Sequence, residues 1–163
     1  MTEAREISLS VPDQGLKKAS AALIRAFGGQ VAVGETFGRA QSRYSDAGSR
    51  STGVFLTVRE VAELEDQTAG AAGHPIVTRT LAKRQGFELV SLPDALPAAG
   101  DLLQLAAKVA KEGGDVISGI GAALADGAFC GRDAAAIVGE ADQLIHAAVT
   151  LRAIALARLE GDI

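Results

Sequence analysis

The side chains best suited to chemistry cluster in the first third of the sequence: Ala40, Gln41, Ser42, Arg43 and Ser45. They are short or hydrogen-bonding, without the Glu/Lys alternation of an ordinary solvated helix face. Gln can pair with adenine and Arg with guanine through two hydrogen bonds each, and Ser suits base edges or phosphates. Double-stranded DNA is the partner those residue types would serve. Nearby Lys17, Lys18, Arg39 and Arg50 would supply phosphate attraction and register,.

Other chemistry is thinly provided. His74 and His146 are the only histidines and Cys130 the only cysteine. A catalytic triad needs a base positioned beside an activated nucleophile, and no such set is spaced for it. Metal-ligand spacings, clustered carboxylates and phosphate-binding glycine loops are missing too, so neither an enzyme, a metal nor a cofactor is expected. Gly119-Ile120-Gly121 falls mid-helix and points to close packing instead. His74 reads as a loop residue before Pro75, and His146 as partly buried or at an interface. Cys130 reads as a buried structural thiol or a bystander in the 126–132 turn.

To work as a reading surface, those five residues need a helix held at a fixed angle. Two helices meeting sharply require a small residue where they cross, which Gly34 provides. They also require a residue tolerant of the turn, and Gly38 follows four later. Val33, Phe37 and Tyr44 would anchor the pair to a preceding helix. That spacing predicts a helix-turn-helix of segments Gln30–Phe37 and Arg39–Ala47,. The preceding helix runs from about Pro12 to Phe27 and stops at Gly28-Gly29. Gly48–Gly53 reads as an exposed loop. Thr57 and Glu60 form a capping box for a helix carrying Val58, Val61, Ala62 and Leu64. Pro75 opens a further short helix with Ile76, Val77, Thr80 and Leu81 inward and with Arg79, Lys83 and Arg84 as a solvated basic face.

Composition and charge agree with this plan. Ala and Gly abound, strand formers are sparse, and 48 % of the residues are hydrophobic, so an all-α fold is expected,. The net charge of −4 argues against nucleic acid until its distribution is read. Residues 1–90 carry 11 basic and 10 acidic side chains, whereas residues 91–163 carry 5 and 10. Within 17–59, seven bases face only Glu35 and Asp46. Phosphates meet a local patch, not a whole-chain average. The polar Met1–Glu6 start and the absence of an apolar run near the roughly 20 residues of a membrane span predict a cytoplasmic, nucleoid-associated protein with no membrane partner.

Pro93 and Pro97 mark 87–100 as a linker between residues 10–86 and residues 101–160. The second part reads as a helical hairpin. Asp101–Asp126 is its first arm, interrupted at Gly113-Gly114 as a candidate kink; a longer helix ends near Leu159. In the latter, Ile137, Ala141, Leu144, Ala148, Leu151 and Ala155 make a heptad seam, with Val138, Ile145, Val149 and Leu156 beside it,. One partner helix cannot cover two rows. Leu144, Ile145, Ala148 and Leu151 are therefore the expected contacts of a dimer or tetramer.

Residues Leu16–Arg84 resemble the phage regulatory protein CII-like family. The resemblance rests on Phe27–Gln30, Phe37–Arg43, the helix Leu56–Gly70 and Pro75–Ala82, and Asp101–Glu160 is similar to the family's second helical pair. It implies a DNA-binding transcriptional regulator with Gln41, Ser42, Arg43 and Ser45 in the recognition helix. Gly48–Gly53 departs from the family pattern, having the Ser/Gly character of a mobile wing where relatives carry a Pro-containing turn. The rival expectation is a protein-interaction module that holds RNA polymerase, a sigma factor or another regulator without reading DNA directly. Polymerase is a possible partner in the first reading as well.

Overall fold

In a computed structural model, residues 8–93, 102–125 and 127–161 are described. Met1–Glu6, residues 94–100 of the expected linker with Pro97, and the ends Asp101 and Asp126 of the expected first hairpin arm lie outside them. Among the described residues the chain is all-α, with seven helices and no strand. It divides into two compact units, Met1–Leu89 and Val90–Ile163.

The first unit contains five helices. Ser10 caps α1 (Val11–Phe27) by accepting the Asp13 N–H, and Gly28 ends it at φ 120°. After Gly29 comes α2 (Gln30–Phe37), closed by Gly38 in the left-handed conformation at φ 61°. Arg39 and Ala40 belong to the turn, so α3 (Gln41–Gly48) starts two residues later than the sequence pattern predicts. The reason is local: the Arg39 N–H is spent on the Gly34 carbonyl at 2.9 Å. Gly34 is needed at that spot, since a Cβ there would lie 2.9 Å from the Arg39 carbonyl oxygen.

Thr57 and Glu60 make the expected capping box on α4 (Val58–Gln67). Helix α5 (Ile76–Arg84) has Pro75 at its cap position and no side-chain cap of its own. Its first-turn amides, which have no partner within the helix, are met from α4: Glu65 Oε1 accepts the Val77 and Thr78 N–H groups at 2.6 and 3.1 Å. A carboxylate suits the positive end of a helix. Leu23, Val33, Tyr44, Ala47, Leu64 and Val77 form the centre of the core, with Phe27, Phe37 and Leu56 packed against it. Leu81, expected inward, is instead exposed, and Val58 at the open first turn of α4 is 87 % exposed.

The second unit is a hairpin of α6 (Leu102–Ala123) and α7 (Gly131–Glu160). Helix α6 runs through Gly113-Gly114 without a break. On α7 the fully buried row is Ala147, Thr150, Ile154 and Ala157. Leu144 and Leu151 are half-buried, whereas Ala148 and Ala155 face outward. The heptad seam of Ile137, Ala141, Leu144, Ala148, Leu151 and Ala155 thus runs beside this buried row rather than along it. Small side chains let two helices approach, and here Ala and Thr occupy the line of approach. Leu103, Ile117, Leu124, Val138 and Leu159 remain exposed.

Candidate nucleic-acid interface

Helix α3 buries Tyr44 and Ala47 and turns Gln41, Ser42 and Ser45 outward. Gln41 and Ser45 are four apart and therefore share a face. Ala40, at the N-cap, is exposed and offers no side-chain cap, so the first amides of α3 have no side-chain partner at that position. Arg39 sits beside them with half its side chain exposed, and Lys18 and Arg50 are exposed as well. Arg25, Gln30 and Ser49 share a shallow groove with Ser45. Sequence reasoning passed over Arg25, although a base in the last turn of α1 before a Gly-Gly stop was a readable signal.

Arg43 is placed differently from its neighbours. Its Nε donates to Glu60 Oε1 at 3.3 Å and its Nη2 to Glu60 Oε2 at 2.9 Å. Only 26 % of the side chain is exposed, and Cζ lies 5.8 Å from the Tyr44 ring centre. Glu60 is almost completely buried and also accepts the Tyr44 hydroxyl at 3.0 Å and the Thr57 N–H at 2.7 Å. Arg39 adds an ion pair at 3.7 Å. Burial pushes the Glu60 carboxyl up, but the Thr57 N–H, Arg43, Tyr44 and the Thr57 hydroxyl outweigh it and bring it to about 2,. The hydrogen bonds to Glu60 raise Arg43 above its ordinary value. In Tyr44, burial and then the Glu60 bond raise the phenol.

Lys17 requires a correction. Expected at the phosphates, it is wholly buried. Its ammonium donates to the Asp46 carbonyl at 2.9 Å, the Thr52 hydroxyl at 3.2 Å and the Val54 carbonyl, and stands 4.4 Å from the Phe55 ring centre. Burial lowers its pKa, partly offset by the Asp46 carboxylate. The side chain therefore ties the segment after α3 to α1. Residues 48–53, which read as a mobile wing, are fastened there, and Thr52 donates back to the Asp46 carbonyl at 2.6 Å. Adjacent lysines look alike in sequence; their opposite fates depend on which side of α1 each occupies.

The second basic cluster is paired: Arg79 and Lys83 meet Glu88 at 3.5 and 3.9 Å, and Arg84 meets Asp13 at 2.8 Å. Cys130 is exposed and caps α7 with Asp133 rather than being buried. His146 is exposed, while the buried Nδ1 of His74 has no partner among the described residues. In the hairpin, carboxylate oxygens of Glu112, Asp115 and Glu140 come within 4.8 Å of one another, a cluster invisible in the sequence because Glu140 is on the other arm. The Lys111 ammonium already lies against it, 2.7 Å from Asp115 and 3.6 Å from Glu112. Among the described residues no helix is long and apolar enough to cross a membrane.

A family model described as phage regulatory protein CII (CP76) matches residues 18–158. No curated protein matches the chain.

Proposed function

The chain belongs to the phage regulatory protein CII family, and we propose that it is a sequence-specific DNA-binding transcriptional regulator that works as a homo-oligomer. The observation that carries this reading is the outward face of α3. Gln41, Ser42 and Ser45 project from a short helix whose opposite side is locked into the core by Tyr44 and Ala47. A helix anchored on one face and polar on the other suits a major groove, with its N-terminal residues at the base edges. Ala40 lets the backbone approach closely, and Lys18, Arg39 and Arg50 meet phosphates. The protein acts in the cytoplasm, on the nucleoid. RNA polymerase is its further partner at a promoter.

Assembly is assigned to the hairpin. Ile117 and Val138 are 73 % and 59 % exposed, and Ile145 and Ala148 also face outward. Apolar area of that kind is stabilised by burial at roughly 25 cal/mol per Å². Because Leu144 and Leu151 already pack within the protomer, replacing them would damage the hairpin as well as any assembly. Ile117→Asp with Val138→Asp is the cleaner test, expected to turn an oligomer into a folded monomer by light scattering at tens of micromolar, on the order of typical protein concentrations well above nanomolar dissociation constants.

A second reading, a module that docks on polymerase, a sigma factor or another regulator, is favoured by one observation. Leu16, Phe55, Val58, Val61 and Leu81 line an apolar recess of about 280 Å³ in the first unit. Salt dependence separates the two readings. Phosphate contacts release counterions, so affinity for a random 20-bp duplex (an arbitrary length of about two helical turns) should fall with a log–log slope of about −3 to −5. Failure to bind that duplex at low salt overturns the DNA reading.

A further inference from the structure

We propose that Glu60 is a positioning residue that presents the outer edge of Arg43 to a single guanine. The proposal rests on the DNA-binding reading above and adds to it a residue outside the recognition helix that sets base choice. Arginine carries five N–H donors in a rigid fork. Two of Arg43's, one on Nε and one on Nη2, are fixed on the two oxygens of Glu60. Of the remaining three, one on Nη1 and one on Nη2 point the same way and form the end-on edge, while the second on Nη1 turns back beside Cδ. That edge has the spacing to meet guanine O6 and N7 as a pair.

Glu60 is built to hold still. It is 2 % exposed, anchored in the first turn of α4, and its oxygens also receive Tyr44 and both the N–H and the hydroxyl of Thr57. The Tyr44 ring closes one side of the guanidinium. A loose arginine must give up rotamer freedom on meeting a base and can settle on a phosphate instead. A clamped one has already lost that freedom, so its preference among bases is sharper. Arg39 provides the contrast: its single 3.7 Å approach to Glu60 leaves it half exposed and suited to a phosphate.

Glu60 also caps α4, so the test must separate capping from presentation. Full-length wild type, Arg43→Ala, Glu60→Gln and Thr57→Ala are each used to enrich duplexes from a randomised library at one salt concentration. Wild type should select a motif containing a guanine that Arg43→Ala erases. Glu60→Gln should lower the preference for that guanine about 5- to 10-fold while the other positions and the salt slope stay as they were. Thr57→Ala removes the side-chain half of that cap but leaves the Thr57 N–H, Tyr44 and Arg43 on Glu60, so it should lower the melting temperature and keep the guanine. Retention of the full guanine preference by Glu60→Gln, or an equal loss at every position, overturns the proposal. So does a wild-type motif with no guanine sensitive to Arg43→Ala.

Should Glu60→Gln fail to fold, the wild-type protein decides. Its Arg43 Nε–H should give a separate, slowly exchanging NMR signal before and after a selected duplex is added, and a signal averaged with the other arginines overturns the clamp. If wild type enriches no sequence at all, the DNA-binding reading itself falls and the presentation of Arg43 falls with it. A motif that forms but ignores Glu60→Gln sinks only the clamp.

Discussion

The two units treat buried charge in opposite ways. In the first, Lys17, Glu60 and Glu65 are buried, and each is surrounded by partners drawn from distant parts of the chain. In the second, Glu112 is buried with one oxygen, Oε2, lacking a partner among the described residues. Apolar groups follow the same division. Five short helices converge on Leu23, Val33, Tyr44 and Leu64, all at or near zero exposure, whereas two helices of 22 and 30 residues leave Leu103, Ile117, Val138 and Leu159 outside. Helix length is not what closes a core. Directions of approach are: five elements can surround a point, and two can only share a line. The first unit closes a core of its own, although Val11, Val58 and Phe87 stay at its surface, and the second has more apolar surface left to bury.

The largest expected effect comes from removing volume at the centre of each unit. Leu64→Ala should cost the first unit about 2–5 kcal/mol. Ile154, 2 % exposed on α7, should cost the hairpin an amount in the lower part of that range when cut to Ala, because its surroundings are thinner and can collapse,. Tyr44 is the only tyrosine and tryptophan is absent, so near-ultraviolet tyrosine dichroism follows the first unit while far-ultraviolet dichroism follows both. Thermal scans at two protein concentrations would show the Ile154→Ala transition moving with concentration and the Leu64→Ala tyrosine transition staying fixed. Equal concentration dependence of both would break the division.

Acid should affect the first unit next most strongly. Glu60 is held at about 2 in place of its ordinary 4.5. Its folded-state value is depressed, so the stability it contributes is fully present above about pH 4.5 and is lost as pH falls toward 2. At about 1.4 kcal/mol per pH unit of difference, the contribution is on the order of 3 kcal/mol. The tyrosine transition should therefore drop steeply between pH 4.5 and 2, and Glu60→Gln should flatten that segment of the curve. A wild-type profile that Glu60→Gln leaves unchanged would show that the hub does not carry the acid response.

Much of the first unit was legible because its signals are local. Gly34 and Gly38 mark the turn, Thr57 and Glu60 the cap, and Gly28 the stop, each working within a few residues. What escaped was long-range: Lys17 meets residues 29 to 37 positions away, and Glu65 caps a helix at its Val77 and Thr78 amides, 12 and 13 residues on. Arg43 was picked out as a polar residue on α3, but its carboxylate partner lies 17 residues on. In the hairpin, periodicity located both helices, but the line along which they touch did not stand out, because it is marked by Ala147, Thr150 and Ala157 as much as by Ile154.

The turn supplies the next test. Gly34→Ala places a Cβ 2.9 Å from the Arg39 carbonyl oxygen, a backbone atom that cannot swing aside. Overpacking of that kind costs about 1–3 kcal/mol. The strain falls where α2 meets α3, so the tyrosine transition should shift while the hairpin's far-ultraviolet signal holds. Gly114→Ala, which meets open space in α6, should be neutral or stabilising by up to about 1 kcal/mol through helix propensity,. If Gly34→Ala is as harmless as Gly114→Ala, the crossing of α2 and α3 is not as close as described.

The smallest effect separates two neighbours. Lys17 and Lys18 are adjacent, yet one ammonium is enclosed by carbonyls and the other is in water. Removing an exposed charge changes stability by no more than about 0.5 kcal/mol, so Lys18→Gln should melt within a few degrees of wild type. Its consequence should appear on DNA instead, as a duplex-binding salt slope shallower by about one. Lys17→Gln should do the reverse. A shorter neutral amide cannot reach three acceptors, so the Asp46 and Val54 carbonyls lose a donor in a buried setting, at about 1–3 kcal/mol. At temperatures where the variant remains folded, its salt slope should match wild type, because its ammonium never faced a phosphate. Melting curves and slopes measured on the pair would therefore cross. If Lys17→Gln flattened the slope while leaving the melting temperature unchanged, the buried ammonium would have to be counted among the DNA contacts after all.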